Sequence, residues 1–376
     1  MPSKKYVERK TVKDIKFLTT SVDAVKNQVT IPRNTLVYYG YLNSFNSAQN
    51  GWVNEAVAQD MAKYSMIVFG DGVEVPTHPD YANTQIIIPR IKALNPNCLI
   101  FGYVDATIVI GTFQTKVDQW NTLAIHGIFM DKCGYDFALT RSSFNTKVDY
   151  IHGKTSAKIA FSNAWSTDHI LGLANDVSYP NTTFNSSLLE SNLTSNDWIL
   201  LESFPINTTA YSGTQGYEPK ADWYTRGSKI ANLRATYPIN VAGIGVINND
   251  NAGGQNLFNF GYISSLMFAL DAFGTSDTSY ASGSAAVTYW VRPSAAGIGA
   301  YIINPAVVLS TSDADIYLRY VDSTMFMLDF SSAAQLSGIF RSTQLNAIVN
   351  ATGAGDVVAK VNEVLNALRS YGIIKS

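Results

Sequence analysis

The stretch NCLIFGYVDA, residues 97–106, is followed 29 residues further on by HGIFMDK, residues 126–132. Both are short, almost unbroken apolar runs that end abruptly at a carboxylate, Asp105 in the first and Asp131 in the second. Continuous apolarity, rather than alternation, is the pattern of parallel strands covered on both faces. A repeat of ~30 residues is what a strand–helix–strand unit needs. Outward from this pair the same texture recurs: TLVYYGYL from 35, SMIVFGDG from 65, AKIAFSNAW from 157, DWILLESF from 197, INVAGIGVIN from 239 and SSLMFALDAFG from 264. The eight runs begin 30, 32, 29, 31, 40, 42 and 25 residues apart.

Helical stretches such as NEAVAQDMAKY and KADWYTRGSKIANLRATYP lie between the runs, the second stopped by Pro238 just before a strand. Eight such units over residues 34–277 match the ~250-residue size of an α/β fold of the (β/α)8 TIM-barrel type. An open doubly wound sheet is the rival, but it normally carries a glycine-rich phosphate loop after its first strand, and YYGYLNSFNSAQNG is not one. Residues 1–33 read as a basic N-terminal arm. Residues 278–340 read as a small β-rich appendage, with DIYLRYVDSTMFMLDF a hairpin, and residues 341–376 as a helical tail. In the tail, Val357, Val361, Val364, Leu368 and Tyr371 form a two-heptad seam suited to a helix packed on its own domain or to a homo-oligomer contact.

With 46% hydrophobic and 15% charged residues in 376, the chain can bury a large core. A net charge of -2 argues against a dedicated nucleic-acid binder, although the arm holds eight Lys or Arg against three Asp or Glu. That +5 leaves -7 for the remainder and marks the arm as a docking segment. Cys98 and Cys133 fall near opposite ends of neighbouring strands, which is poor disulfide geometry. The N-terminus lacks a signal peptide's apolar core, and no run reaches the ~18 apolar residues of a membrane span.

In a (β/α)8 barrel the chemistry sits at the C-terminal ends of the strands. The run ends here are Tyr39 and Tyr41, Asp71, Asp105, Asp131, Asn163 with Trp165, Glu202, Asn248 and Asp271. They are rich in carboxylates and aromatics and contain no histidine; His126 stands at the start of its run, at the wrong end. This argues against a histidine-held metal and against a Ser-His-Asp system, and no cofactor is implied. Paired carboxylates beside aromatic platforms are the composition glycoside hydrolysis uses. Asp131 and Glu202 would face one another with Asn163 between them. Plainer roles exist for the others. Asp71 and Asp271 suit helix caps or lysine partners, and Asp105 suits loop orientation. Asp136 suits capping of the next helix, and the aromatics suit packing. Lys132 should point away from Asp131 by alternation. A metal site built from Asp71, Asp105 and Asp131 is a third possibility.

The succession IFGYVDA, GIFMDKCGYDF, AFSNAW and ILLESF resembles the spherulin-type glycoside hydrolases and the related endo-α-1,4-polygalactosaminidases, barrel enzymes that cut galactosamine-rich polysaccharides. The likeness covers about residues 35–275 and falls on Tyr103, Asp131, Asn163 and Glu202. It implies Asp131 as nucleophile or base and Glu202 as acid. It implies substrate binding by Asn163, to which Tyr103, Trp165, Tyr39, Tyr41, Asp105 and Asp271 are added as rim candidates. The sequence departs from that pattern at Ala164 and Trp165, which stand where the family has Pro-Gly, and at His126, which stands where it has Asp. The tail TGAGDVVAKVNEVLNALRSYGIIKS is similar to C-terminal helices of bacteriophage fibre and virion proteins. Together the resemblances imply a phage-associated polysaccharide hydrolase. It would be bound to other virion proteins through the arm, and located in the particle or outside the cell after lysis. The alternative is a non-catalytic glycan-binding or structural virion protein on the same barrel.

Overall fold

The computed structural model describes residues 31–173, 184–208, 215–217, 219–277, 287–293, 309–310, 316–321, 324–330 and 336–341. Eight strands form a closed, all-parallel barrel: β1 (Arg33–Tyr38), β2 (Met66–Phe69), β3 (Leu99–Asp105), β4 (Gly127–Asp131), β5 (Ile159–Asn163), β6 (Trp198–Glu202), β7 (Asn240–Val246) and β8 (Ala272–Ser276). They neighbour in chain order and β8 closes on β1. The chain is therefore an α/β protein with a (β/α)8 TIM barrel. The basic arm and the heptad seam of the tail lie outside the described residues.

Side chains alternate along each strand, and that period of two divides the core. Val37, Met66, Val68, Phe101, Phe129, Phe161, Trp198, Leu200, Ala242, Ile244 and Ala272 point inward and fill the barrel. Their neighbours, such as Ile128 and Ile199, pack outward on the helices. One step of two beyond the inner layer places Tyr39, Tyr103, Asp131, Asn163 and Glu202 above Val37, Phe101, Phe129, Phe161 and Leu200. Polar groups thus follow apolar ones along the same inner face towards the C-terminal end.

Among the described residues six helices of two turns or more flank the barrel: α1 (Asn54–Met61), α2 (Tyr81–Leu94), α3 (Ile110–Thr122), α4 (Arg141–His152), α5 (Lys220–Thr236) and α6 (Gly254–Met267). Trp120 of α3 is fully buried and donates its indole N–H to the Tyr103 carbonyl at 3.1 Å. Gly102 makes this possible, because a Cβ there would stand 2.1 Å from the Trp120 ring. Truncating so large a buried aromatic costs about 3–5 kcal/mol.

Among the described residues, helices of two turns or more follow six of the eight strands. After β5 the described residues hold a single 3-10 turn, Thr167–His169. After β8 the described residues 287–293 form an extended strap. Its Val287 N–H donates to Asn46 Oδ1 (2.7 Å) and its Thr288 N–H to Asn249 Oδ1 (2.9 Å), while Arg292 reaches the Pro32 carbonyl (2.6 Å). Tyr289 meets the Tyr64 ring edge-on. The eighth strand also begins later than its apolar run. Ser264 to Met267 belong to α6, a helix buried at eleven positions including Leu257, Phe260 and Ile263. From Phe260 to Met267 every position is buried, and a helix end buried all round leaves no period to separate it from a buried strand.

Beyond the barrel, Ile316–Val321 and Thr324–Asp329 pair antiparallel, flanked by Leu309–Ser310 and Leu336–Arg341 in a four-stranded sheet. Tyr317 and Phe330 close on Trp223 of α5 at 5.0 and 5.1 Å, and Phe330 on Phe260 of α6 at 5.7 Å. This aromatic seam welds the appendage to the barrel's flank. Both thiols, Cys98 and Cys133, are free and buried. Among the described residues no helix is long and apolar enough to cross a membrane.

Candidate active site at the barrel mouth

A cavity of about 110 Å³ opens at the C-terminal end of the barrel, lined by Val37, Tyr39, Phe129, Asp131, Asn163, Leu200, Glu202 and Ile244. One wall is polar and built from β4, β5 and β6. The facing wall and floor are apolar.

Asp131 ends β4 and is held by three donors. The Tyr103 hydroxyl donates to its Oδ2 at 2.9 Å, while the Lys132 N–H and Asn163 Nδ2 donate to Oδ1, each at 2.9 Å. Burial and the Asp131 charge push the Tyr103 phenol well above its ordinary range, so that it stays a donor. Lys132 does not simply alternate away. Its φ of 58° is left-handed, which turns its N–H back onto the preceding carboxylate. Its ammonium pairs with Asp105 at 2.6 Å, and that hydrogen bond raises the Lys132 pKa. Burial would raise the Asp105 pKa, but hydrogen bonds from Lys132 and Thr107 outweigh it and hold the group below the usual carboxylate range. Asp105 is thus committed to orienting the β3 loop and Lys132.

Glu202 ends β6. Asn163 Nδ2 donates to its Oε2 at 3.1 Å as well as to Asp131. One amide nitrogen therefore bridges the two acids, and its contacts of 2.9 and 3.1 Å cap their Oδ1–Oε2 separation at about 6.0 Å. Burial pushes the Glu202 pKa up; the Asn163 hydrogen bond opposes the rise, the Asp131 charge adds to it, and Arg226 opposes it. Asp131 is thus surrounded by donors, whereas Glu202 holds its proton to higher pH than an ordinary glutamate.

The remaining candidates scatter. Tyr39 lines the cavity and meets the Tyr103 ring edge-on at 5.5 Å. Tyr41 is 43% exposed on the rim, against the His78 ring, and Trp165 is 74% exposed, outside the cavity wall. Asp271 is at the opposite end of the barrel. It precedes β8 instead of ending it, pairs with Arg234 at 3.0 Å and accepts the Val241 N–H at 2.8 Å. Its expected place at the rim followed from the misread start of the eighth strand. Asp136 does not cap α4; Thr140 does, accepting the Ser143 N–H, and Asp136 lies 3.6 Å from His169. Asp71 pairs with Lys116, and among the described residues no group of three His, Cys, Asp or Glu could hold a metal ion. Sequence reading missed Arg226, which donates to the Glu202 and Ser203 carbonyls at 2.7 and 3.1 Å. Nothing in its helical surroundings signals that role.

The fold and this mouth define the chain as a (β/α)8 barrel with a bridged carboxylate pair at the C-terminal ends of its strands. No family model matches the sequence, and no curated protein matches it. Solved structures that it resembles include a pyruvate carboxylase from Rhizobium etli, at 10% identity and TM-score 0.40 over 67% of this chain and 24% of that one. An endo-1,4-β-mannanase from Rhizomucor miehei matches at 10% identity and TM-score 0.39, over 66% of this chain and 90% of that one. An enolase from Gibberella zeae matches at 12% and 0.35, over 67% and 50%. The chain spans about a quarter of the carboxylase. Likenesses this distant carry no argument about chemistry, and the barrel assignment stands on its own strand order.

Proposed function

We propose that the chain is a glycoside hydrolase cleaving an amino-sugar-rich surface polysaccharide, with Asp131 as nucleophile and Glu202 as acid and then base. The observation that carries this is the Asn163 bridge. It brings Asp131 Oδ1 and Glu202 Oε2 within about 6.0 Å of each other, which supports the close pairing of retaining enzymes, whose carboxyls stand ~5–5.5 Å apart, over the wider ~6.5–9.5 Å of inverting ones. Glu202 protonates the leaving glycosidic oxygen while Asp131 attacks the anomeric carbon, giving a glycosyl ester. Glu202, now ionised, takes a proton from water, which attacks the same carbon and frees Asp131. Asn163 donates to whichever carboxyl carries charge at each stage.

The amino-sugar preference, phage association, docking through residues 1–33 and self-association through residues 341–376 extend this proposal; sequence resemblance and charge support them. The test is release of reducing ends from galactosamine-containing polymers by the wild type, lost in D131N and E202Q with circular dichroism unchanged. NMR of the first-formed product should show the anomeric configuration retained. Full activity in both variants, or inversion, refutes the assignment. A second reading, glycan binding without turnover, draws on Ala164 and Trp165 in place of Pro-Gly. Binding with no product after long incubation selects it.

A further inference from the structure

The two carboxyls are anchored in different ways. Three donors grip Asp131 at its own carboxylate, whereas Asn163 is the donor that reaches the Glu202 carboxyl. The difference has a chemical reason. Every donor aimed at a carboxylate favours its ionised form, so an acid that must give and retake a proton cannot be pinned that way. It has to be placed through its main chain.

Arg226 of α5 is built for this. One guanidinium nitrogen donates to the Glu202 carbonyl at 2.7 Å and another to the Ser203 carbonyl at 3.1 Å. Its Cζ lies 5.1 Å from the centre of the Phe204 ring, within cation–π range. A single side chain therefore touches three consecutive residues. In an extended strand successive carbonyls point to opposite sides, so one planar fork could not reach both. Ser203 breaks the extension with a φ of 50°, left-handed and not glycine. The residue after the other carboxyl, Lys132, is left-handed too, at 58°. The chain turns in the same way behind both acids, once to hold a side chain and once to present carbonyls to Arg226. The helix is seated closely enough by Gly227, where a Cβ would stand 2.2 Å from the Phe268 ring, which in turn neighbours Phe204.

We infer that Arg226 is the positioning residue of the acid: by clamping the carbonyls of Glu202 and Ser203 it fixes where the Glu202 carboxyl stands relative to Asp131. This rests on the hydrolase reading, and it adds a residue that acts through another without touching substrate.

R226K and R226M separate the fork from the charge. Lysine keeps the cation but not the paired geometry, so kcat should fall about 10- to 100-fold, the order that an ångström-scale misplacement costs. KM should stay within about twofold, and the basic limb of kcat/KM should not move. R226M should lose as much kcat, with that limb displaced to higher pH, because the cation that favours ionised Glu202 is gone. Carbon-13 titration of the Glu202 carboxyl, assigned against E202Q, reads the same displacement without needing turnover. If the wild type hydrolyses no polymer, an upward move of that titration in R226M still supports the clamp while the hydrolase reading falls. Wild-type kcat in R226K, or an unmoved Glu202 titration in folded R226M, overturns it. So does a loss that tracks thermal stability alone.

Discussion

Asn163→Ala tests the geometry most directly, because one nitrogen holds both acids. The substitution removes two hydrogen bonds to carboxyl groups, of 2.9 and 3.1 Å, in a buried setting. A hydrogen bond to a charged group is worth about 1.5–3 kcal/mol. If the bond to Asp131 is carried into the transition state, kcat should fall by about 10- to 150-fold at 25 °C. The pH profile should move with it. The Asn163 hydrogen bond opposes the burial that raises the Glu202 pKa, so its loss lets that pKa climb further and carries the basic limb of kcat/KM upward. Initial-rate measurements of reducing-end release across pH, on the wild type and N163A, give both quantities. A variant with wild-type kcat and an unmoved basic limb would refute the idea that Asn163 sets the pair. A fall in kcat that N163Q fully restores would also refute it, because the longer side chain cannot keep both contacts at these lengths.

Other consequences concern stability. The folded Glu202 pKa lies above its unfolded value, so this group's favourable contribution is complete below the unfolded pKa and is lost as pH rises through the folded one. E202Q should therefore raise the melting temperature at neutral pH and leave it unchanged near pH 3, while abolishing activity; thermal scans at the two pH values check it. Lys147 is 3% exposed, donates to Ser143 Oγ at 3.0 Å and has no carboxylate partner among the described residues; burial lowers its pKa. K147M should stabilise the fold by about 1 kcal/mol, measured by urea denaturation, because it removes the desolvation cost of an uncompensated charge. Burial raises the Asp271 pKa despite its Arg234 partner at the far end of the barrel, so D271N should cost no stability at neutral pH, read by urea denaturation, and leave kcat per folded molecule unchanged. A selective kcat loss there would return Asp271 to the site.

The periodicity of apolar runs carried the barrel, since eight buried parallel strands at βαβ spacing leave few other closed arrangements. The same period of two was enough to lift Asp131, Asn163 and Glu202 onto one inner face, because each stands two residues beyond a core side chain. Local sequence failed where its signals become degenerate. The end of α6, buried at every position from Phe260 to Met267, ran into β8 without a change of texture, and that shift misplaced Asp271. Lys132 and Ser203 leave the extended region through left-handed turns that no residue type announces, so alternation gave the wrong direction for Lys132.

What the sequence determined by itself was the central part of the inventory at the barrel mouth: carboxyls ending β4 and β6, with an asparagine ending β5 between them. Only the tertiary structure decided how those groups work on one another. The separation of the two acids depends on where an amide from β5 falls between β4 and β6. The anchoring of Glu202 depends on a guanidinium 24 residues later in the chain. The burial that raises the Glu202 pKa exists only once the barrel has closed around it.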